Sequence, residues 1–283
     1  DAPASRAGIA APQGPPAMLA EWRKLEDRAD RLPAVARAMA LRGLAKVVDY
    51  QDLDYGCAYL DRVEQAVPRG AIFTREAAKY LAKAMCYDDL IRVADLKTRA
   101  SRDARLRNEQ GAAPEAIVHV TEYFHPRAPE VVGAFPAWLG GFVERRPSLM
   151  KGIDWAVNRG RRVRTDGIAG WLSLWLVSGM KPRRRKMLRH EVEEQYLERW
   201  YALALDQDDV ALGGEVLKCR RLIKGYSDTH ARGLSKYDRV VAALPLLAGR
   251  EDAADWLRRL REAALQDENG EALDGALKTI ESF

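Results

Sequence analysis

From Met18 onward the apolar residues recur with a period close to 3.6, and that spacing restricts the fold more than any other property of the sequence. Leu19, Trp22, Leu25 and Ala29 form one stripe. Pro33 then breaks the segment and suits the first turn of a helix predicted over 34–48. Tyr55, Tyr59 and Val63 carry the pattern to a stop at Pro68 and Gly70. Thr74 is the predicted N-cap of one long helix over about 75–110, whose apolar positions Ala78, Leu81, Met85, Leu90, Val93 and Leu96 give way after Thr98 to a charged stretch.

The middle of the chain interrupts this rhythm. AIVHVTEYF (116–124) is β-branched and aromatic with partial alternation, which makes it the best strand candidate, with residues 161–164 as its pairing partner. Helical spacing then returns. A short helix over 138–143 follows Pro136, and an apolar helix capped by Thr165 or Asp166 runs to about Met180. In the latter, Trp171, Leu172, Trp175 and Leu176 read as a core stripe. A basic helix is predicted over 183–205 with Leu188, Val192, Tyr196 and Trp200 inside, and another over 209–224 with Leu212, Val216, Cys219 and Ile223 inside and Gly225 as its stop. Ser235 and Asp238 look like a capping box for a helix ending at Leu247, and two short helices divided by Asn269 and Gly270 close the chain. The expectation is a mainly α, multi-helix domain of about nine helices over 17–283, with at most a small β hairpin or ribbon. Residues 1–16, rich in Ala, Pro and Gly, read as a disordered linker from a missing upstream domain.

Composition excludes several classes of function. The longest nearly uncharged apolar run, 167–180, has fourteen residues, short of the roughly 20 that a membrane-spanning helix needs. The three cysteines, Cys57, Cys86 and Cys219, are far apart; the chain lacks the four closely spaced thiols of an iron–sulfur cluster or a structural zinc, and a reducing, cytoplasmic setting is expected. Charge is unevenly spread. Residues 159–189 hold ten basic side chains against Asp166 alone, whereas 251–283 hold nine acids against four bases. Such asymmetry points to a basic face that meets an acidic partner, a nucleic acid or the acidic tail itself.

The densest polar constellation is CRRLIKGYSDTHARGLSKYDR (219–239). Read as a loop between helices, it offers Lys224, Tyr226, Ser227, Asp228, Thr229, His230, Arg232 and Lys236, with Gly225 and Gly233 as hinges. Cationic donors and a helix N-terminus there suit a phosphate or carboxylate, and Asp228 could orient His230. The plainer reading makes Gly225 a C-cap and the polar residues turn formers. His119, Glu122 and His125 resemble metal ligands only superficially, because on a strand His119 and Glu122 point oppositely. No metal site and no catalytic residue is assigned. A second, different reading is a phosphate- or nucleic-acid-binding helical module that uses the 159–189 basic face.

The segment CRRLIKGYSDTHARG (219–233) resembles ECxRLIKGYGDTHxRG-like segments in the C-terminal region of the indolepyruvate oxidoreductase beta subunit, with Ser227 in place of a usual Gly. VVDYQDLDYGCAYLDRV (47–63), HVTEYFHP (119–126) and the stretch 165–200 resemble further landmarks of that family in the same order. The resemblance implies a two-subunit enzyme that oxidatively decarboxylates aryl pyruvates to aryl-acetyl-CoA with ferredoxin as electron acceptor. It implies thiamine diphosphate and iron–sulfur clusters in the partner alpha subunit, none in this chain, and a gamma-like N-terminal domain of the same beta subunit ahead of residue 1. The resemblance does not itself give the role of this domain; taken with the residues, the expected role is an accessory, subunit-docking domain, with Lys224, Gly225, Tyr226, Asp228, Thr229, His230, Arg232 and Lys236 as the ligand- or partner-binding loop, no membrane contact and no nucleic acid.

Overall fold

The computed structural model describes residues 8–113, 115–116, 118–158, 160–225, 227–266 and 269–282. Residues 1–7 of the expected linker lie outside that set, and within it Ile9 packs partly against the core. The chain is mainly α-helical, with one two-stranded antiparallel sheet. The reading of a single helical domain over 17–283 meets a chain whose contacts group into two compact units: Asp1–Tyr87 with Glu194–Phe283, and Asp88–Glu193. Among the described residues, no helix is long and apolar enough to cross a membrane.

The first unit begins with α1 (Pro16–Asp30), α2 (Ala34–Tyr50), α3 (Leu53–Gln65) and α4 (Ala71–Met85). The predicted stripe of α1 is buried at Trp22, Leu25 and Ala29, and Tyr55, Tyr59 and Val63 of α3 are buried as expected. Each fully buried Leu contributes about 1.5–3 kcal/mol, and Leu44, Leu60 and Leu81 from α2, α3 and α4 meet in one core. Gly43 makes this packing possible: a Cβ there would lie 2.1 Å from the Tyr59 hydroxyl oxygen, which itself donates to the Ala78 carbonyl at 2.9 Å. Thr74 does not cap α4. It lies inside the helix, fully buried, and its hydroxyl donates to the carbonyls of Gly70 and Ala66. Gly70, at φ +98°, takes the N-cap position instead.

The single long helix expected over 75–110 is three: α4, α5 (Leu90–Thr98) and α6 (Ala100–Glu109). The break falls where Asp89 turns from chain to cap, its carboxylate accepting from the Arg92 amide at 2.5 Å. From Asp88 onward the second unit adds β1 (Thr121–Phe124), α7 (Ala128–Gly133), α8 (Ala137–Glu144), α9 (Pro147–Val157), β2 (Arg161–Arg164) and α10 (Ile168–Ser178). The strands pair in antiparallel register, Thr121 with Arg164 and Phe124 with Arg161, which realises the small ribbon expected from the sequence. Of the rest of the strand candidate, residues 116 and 118–120 stay outside β1, and residue 117 lies outside the described residues.

The basic segment 183–187 is not the first turn of a helix. Lys181–Lys186 is a 3-10 turn, and α11 (Leu188–Leu205) starts after it. The buried side of α11 is Leu197, Trp200, Tyr201 and Ala204, one position away from the predicted four-residue series, of which only Trp200 is buried. Arg184, expected at the surface, is 1% exposed and ion-paired with Asp89, Nε to Oδ2 2.9 Å.

After α11 the first unit closes with α12 (Val210–Cys219), α13 (Ser227–Ala242), α14 (Ala253–Gln266) and α15 (Glu271–Glu281). Asp209 caps α12 through the amides of Ala211 and Leu212, and the stripe Leu212, Val216, Cys219 and Ile223 is buried, as the spacing predicts. Gly270, at φ +85°, divides α14 from α15. Burial in α12 pushes the Cys219 thiol up to about 12, whereas Cys57 and Cys86 are half-buried and unbridged. We therefore expect a disulfide-exchange reagent to titrate two thiols in the folded chain and the third only after denaturation. Simultaneous reaction of all three would contradict the burial of Cys219.

Candidate functional site

The polar constellation at 219–239 is mostly helix rather than loop. After α12 a 3-10 turn, Arg220–Leu222, leads through Ile223 and Lys224 to Gly225, whose φ of +73° is the left-handed conformation that favours glycine. Tyr226 lies outside the described residues, as do the side chains of Ser227 and Asp228 and with them the expected pairing of Asp228 with His230. α13 begins eight residues ahead of Ser235, and the resemblance of Ser235 and Asp238 to a capping box is overruled. The cause is Gly233: a Cβ there would lie 2.4 Å from the Leu222 carbonyl oxygen, so its absence lets the helix pass directly beneath the 3-10 turn.

The site residues take different surroundings on this frame. Lys224, Thr229 and Arg232 are exposed, Gly225 and His230 half-buried. Lys236 reaches the last turn of α14, its ammonium donating to the Ala264 carbonyl at 3.0 Å, so it completes a helix end. The sequence does not reveal the companions of Lys224. Its charge acts on Lys83 in the last turn of α4, as do those of Arg220 and Arg221 from the 3-10 turn and Lys46 from α2.

The other sequence candidates resolve into structural contacts. Asp166, expected as a cap for α10, instead receives Arg164 at 2.6 Å and His119 at 2.6 Å, and Gly167 takes the N-cap position. Arg164 beside Asp166 holds that carboxyl well below the usual carboxylate range. Glu122 is held by Lys97 and Arg102, and His125 faces Asn158 at 2.5 Å, so His119, Glu122 and His125 serve three separate contacts. Among the described residues, no group of three His, Cys, Asp or Glu side chains is placed to hold a metal ion. The tyrosines of α3 satisfy core carbonyls, Tyr55 donating to Met85 at 3.1 Å, and Asp61 and Glu64 both pair with Arg28.

The basic run 159–189 is similarly divided. Arg164, Arg184 and Arg189 are each ion-paired, to Asp166, Asp89 and Glu193, while Arg183 and Lys186 remain exposed. The apolar helix between them departs furthest from expectation. None of the residues of α10 is buried. Ile168 is 88% exposed, Trp171 42% and Trp175 51%, with the two indoles stacked at 6.2 Å between ring centroids. Trp138 on α8 and Trp155 on α9 are each 75% exposed. The buried hydrophobic residues of the second unit, among those described, are Ile91, Ala94, Ala128, Val132, Val143 and Met187, a small core for so long a segment. Helix periodicity placed Trp171, Leu172, Trp175 and Leu176 in a core, but α10 packs on α5 and β2 and leaves those side chains exposed.

Residues 36–243 match the family model DUF6537, described as a family of unknown function. No curated protein and no solved structure matches the chain.

Proposed function

The chain belongs to DUF6537, a family of unknown function, and we propose that it is an accessory, subunit-docking domain of a 2-oxoacid oxidoreductase of the indolepyruvate type. The observation that carries the docking role is the solvent exposure of α10, an almost wholly apolar helix with a stacked tryptophan pair and no buried residue. Monomeric proteins rarely leave such a patch open, and aromatic side chains of this kind anchor protein interfaces. The kind of assembly is drawn from the resemblance of residues 219–233 and its companion stretches to the beta subunit of that oxidoreductase. On this reading thiamine diphosphate and the iron–sulfur clusters belong to the alpha subunit, in the cytoplasm, and this chain supplies surface rather than chemistry.

The test is association with the alpha subunit. Wild-type chain is expected to co-purify with it, and the Trp171→Ser, Trp175→Ser double variant to lose affinity by about a hundredfold or more, the range of an interface hot-spot pair. Because both residues are exposed, the variant keeps its helical circular dichroism and its unfolding midpoint. Failure of wild-type chain and full beta subunit alike to bind would refute the reading. The nucleic-acid alternative retains one supporting feature, Arg162 lying over the exposed Tyr123 ring at 5.5 Å on the ribbon. It requires steeply salt-dependent binding of an oligonucleotide, which a docking domain does not show at physiological salt.

A further inference from the structure

A second feature lies in the first unit and is independent of the docking surface. Helices α2 and α4 pack along each other, and the 3-10 turn Arg220–Leu222 packs on α4. This packing sets Lys46, Arg220, Arg221 and Lys224, from two other stretches of chain, within electrostatic reach of Lys83. The Lys46 carbonyl accepts from the Cys86 thiol at 3.8 Å, which ties α2 to the end of α4 just beyond Lys83. Lys83 is half-buried at the centre, Arg220 is 6% exposed, and Lys46, Arg221 and Lys224 are at the surface.

Burial, followed by the charges of Arg220, Arg221, Lys224 and Lys46, holds the Lys83 ammonium below the usual lysine range. Among the described residues, Lys46, Lys83, Arg221 and Lys224 take part in no ion pair. Like charges gathered around a partly desolvated lysine oppose folding unless an anion compensates them. Arginine forks beside lysine point charges match the tetrahedral oxygens of phosphate.

We propose that Lys46, Lys83, Arg221 and Lys224, with the buried Arg220 behind them, form a binding site for the phosphate groups of a multiply charged small molecule. A nucleic acid is the poorer fit: single-stranded chains are held by basic grooves with exposed aromatic rings, and the described residues of this unit expose no large aromatic side chain. Only the 3-10 turn and Lys224 of this set were visible in the sequence as neighbours; Lys46 and Lys83 are supplied by packing.

Calorimetric titration of the full chain with inorganic tripolyphosphate, and separately with inorganic phosphate, in about 0.15 M salt, tests the site. Saturable binding of tripolyphosphate, tighter than of phosphate, is expected. Lys83→Met should weaken it by about tenfold while melting no lower than wild type, since it removes a repelled charge. Lys224→Met, at an exposed position, should weaken it in the same direction, and Lys186→Met in the other unit should leave it unchanged. The proposal is overturned by absence of saturable binding, by equal weakening in Lys83→Met and Lys186→Met, or by an oligonucleotide that binds through these residues more tightly than tripolyphosphate.

Discussion

Arg184→Ala should destabilise the folded chain by about 3–5 kcal/mol, the usual cost of stripping one partner from a buried ion pair. The guanidinium lies at 1% exposure with Nε 2.9 Å from Asp89 Oδ2, so its removal leaves a carboxylate that is itself largely buried without its counter-charge. Asp89 also caps α5 through the Arg92 amide, which couples the ion pair to the start of that helix. The cost is therefore specific to the leftover charge. Combining Arg184→Met with Asp89→Asn removes both charges, retains a side-chain oxygen for the cap, and should recover most of the loss. Urea unfolding midpoints at constant slope measure both variants against wild type. A double variant as damaged as Arg184→Ala would show that side-chain volume, not charge, holds this corner.

Trp200→Ala should cost a comparable amount, about 3–5 kcal/mol, by a different mechanism. The indole is 2% exposed in the core of the first unit, and its Nε1 donates to the Val216 carbonyl at 2.9 Å. Alanine there opens a ring-sized cavity between α11 and α12, whereas Trp200→Phe retains most of the apolar volume and should lose distinctly less. A loss below about 1 kcal/mol for Trp200→Ala would mean that this part of the core refills from its surroundings.

Local signals located most of the helices. Spacing placed α1, α3 and α12 with their buried stripes, Asp209 and Gly270 marked real boundaries, and β-branched residues pointed to the ribbon of β1 and β2. What escaped the sequence depends on residues far apart in the chain. The break between α4 and α5 carries no Pro or Gly; it coincides with Asp89, whose ion-pair partner is 95 positions away. The start of α13 was missed because Gly233 looks like a hinge when read alone and becomes a helical contact only in the presence of the Leu222 carbonyl. Exposure of α10 was hidden for a similar reason, since periodicity reports which side chains are apolar and not whether anything covers them. For the candidate site, the 219–239 segment was legible as a polar concentration, while the separation of Lys236 into a helix end and the arrival of Lys46 and Lys83 beside Lys224 required the packed helices.

The docking role is tested most directly by footprinting the solvent-exposed tryptophans in the presence of the purified alpha subunit. Radical labelling read by mass spectrometry should fall sharply at Trp171 and Trp175 when the alpha subunit is added, with the buried Trp200 unchanged. Undiminished labelling of α10 in a solution where the two proteins are demonstrably associated would contradict the account, because the partner would then be held by some other face.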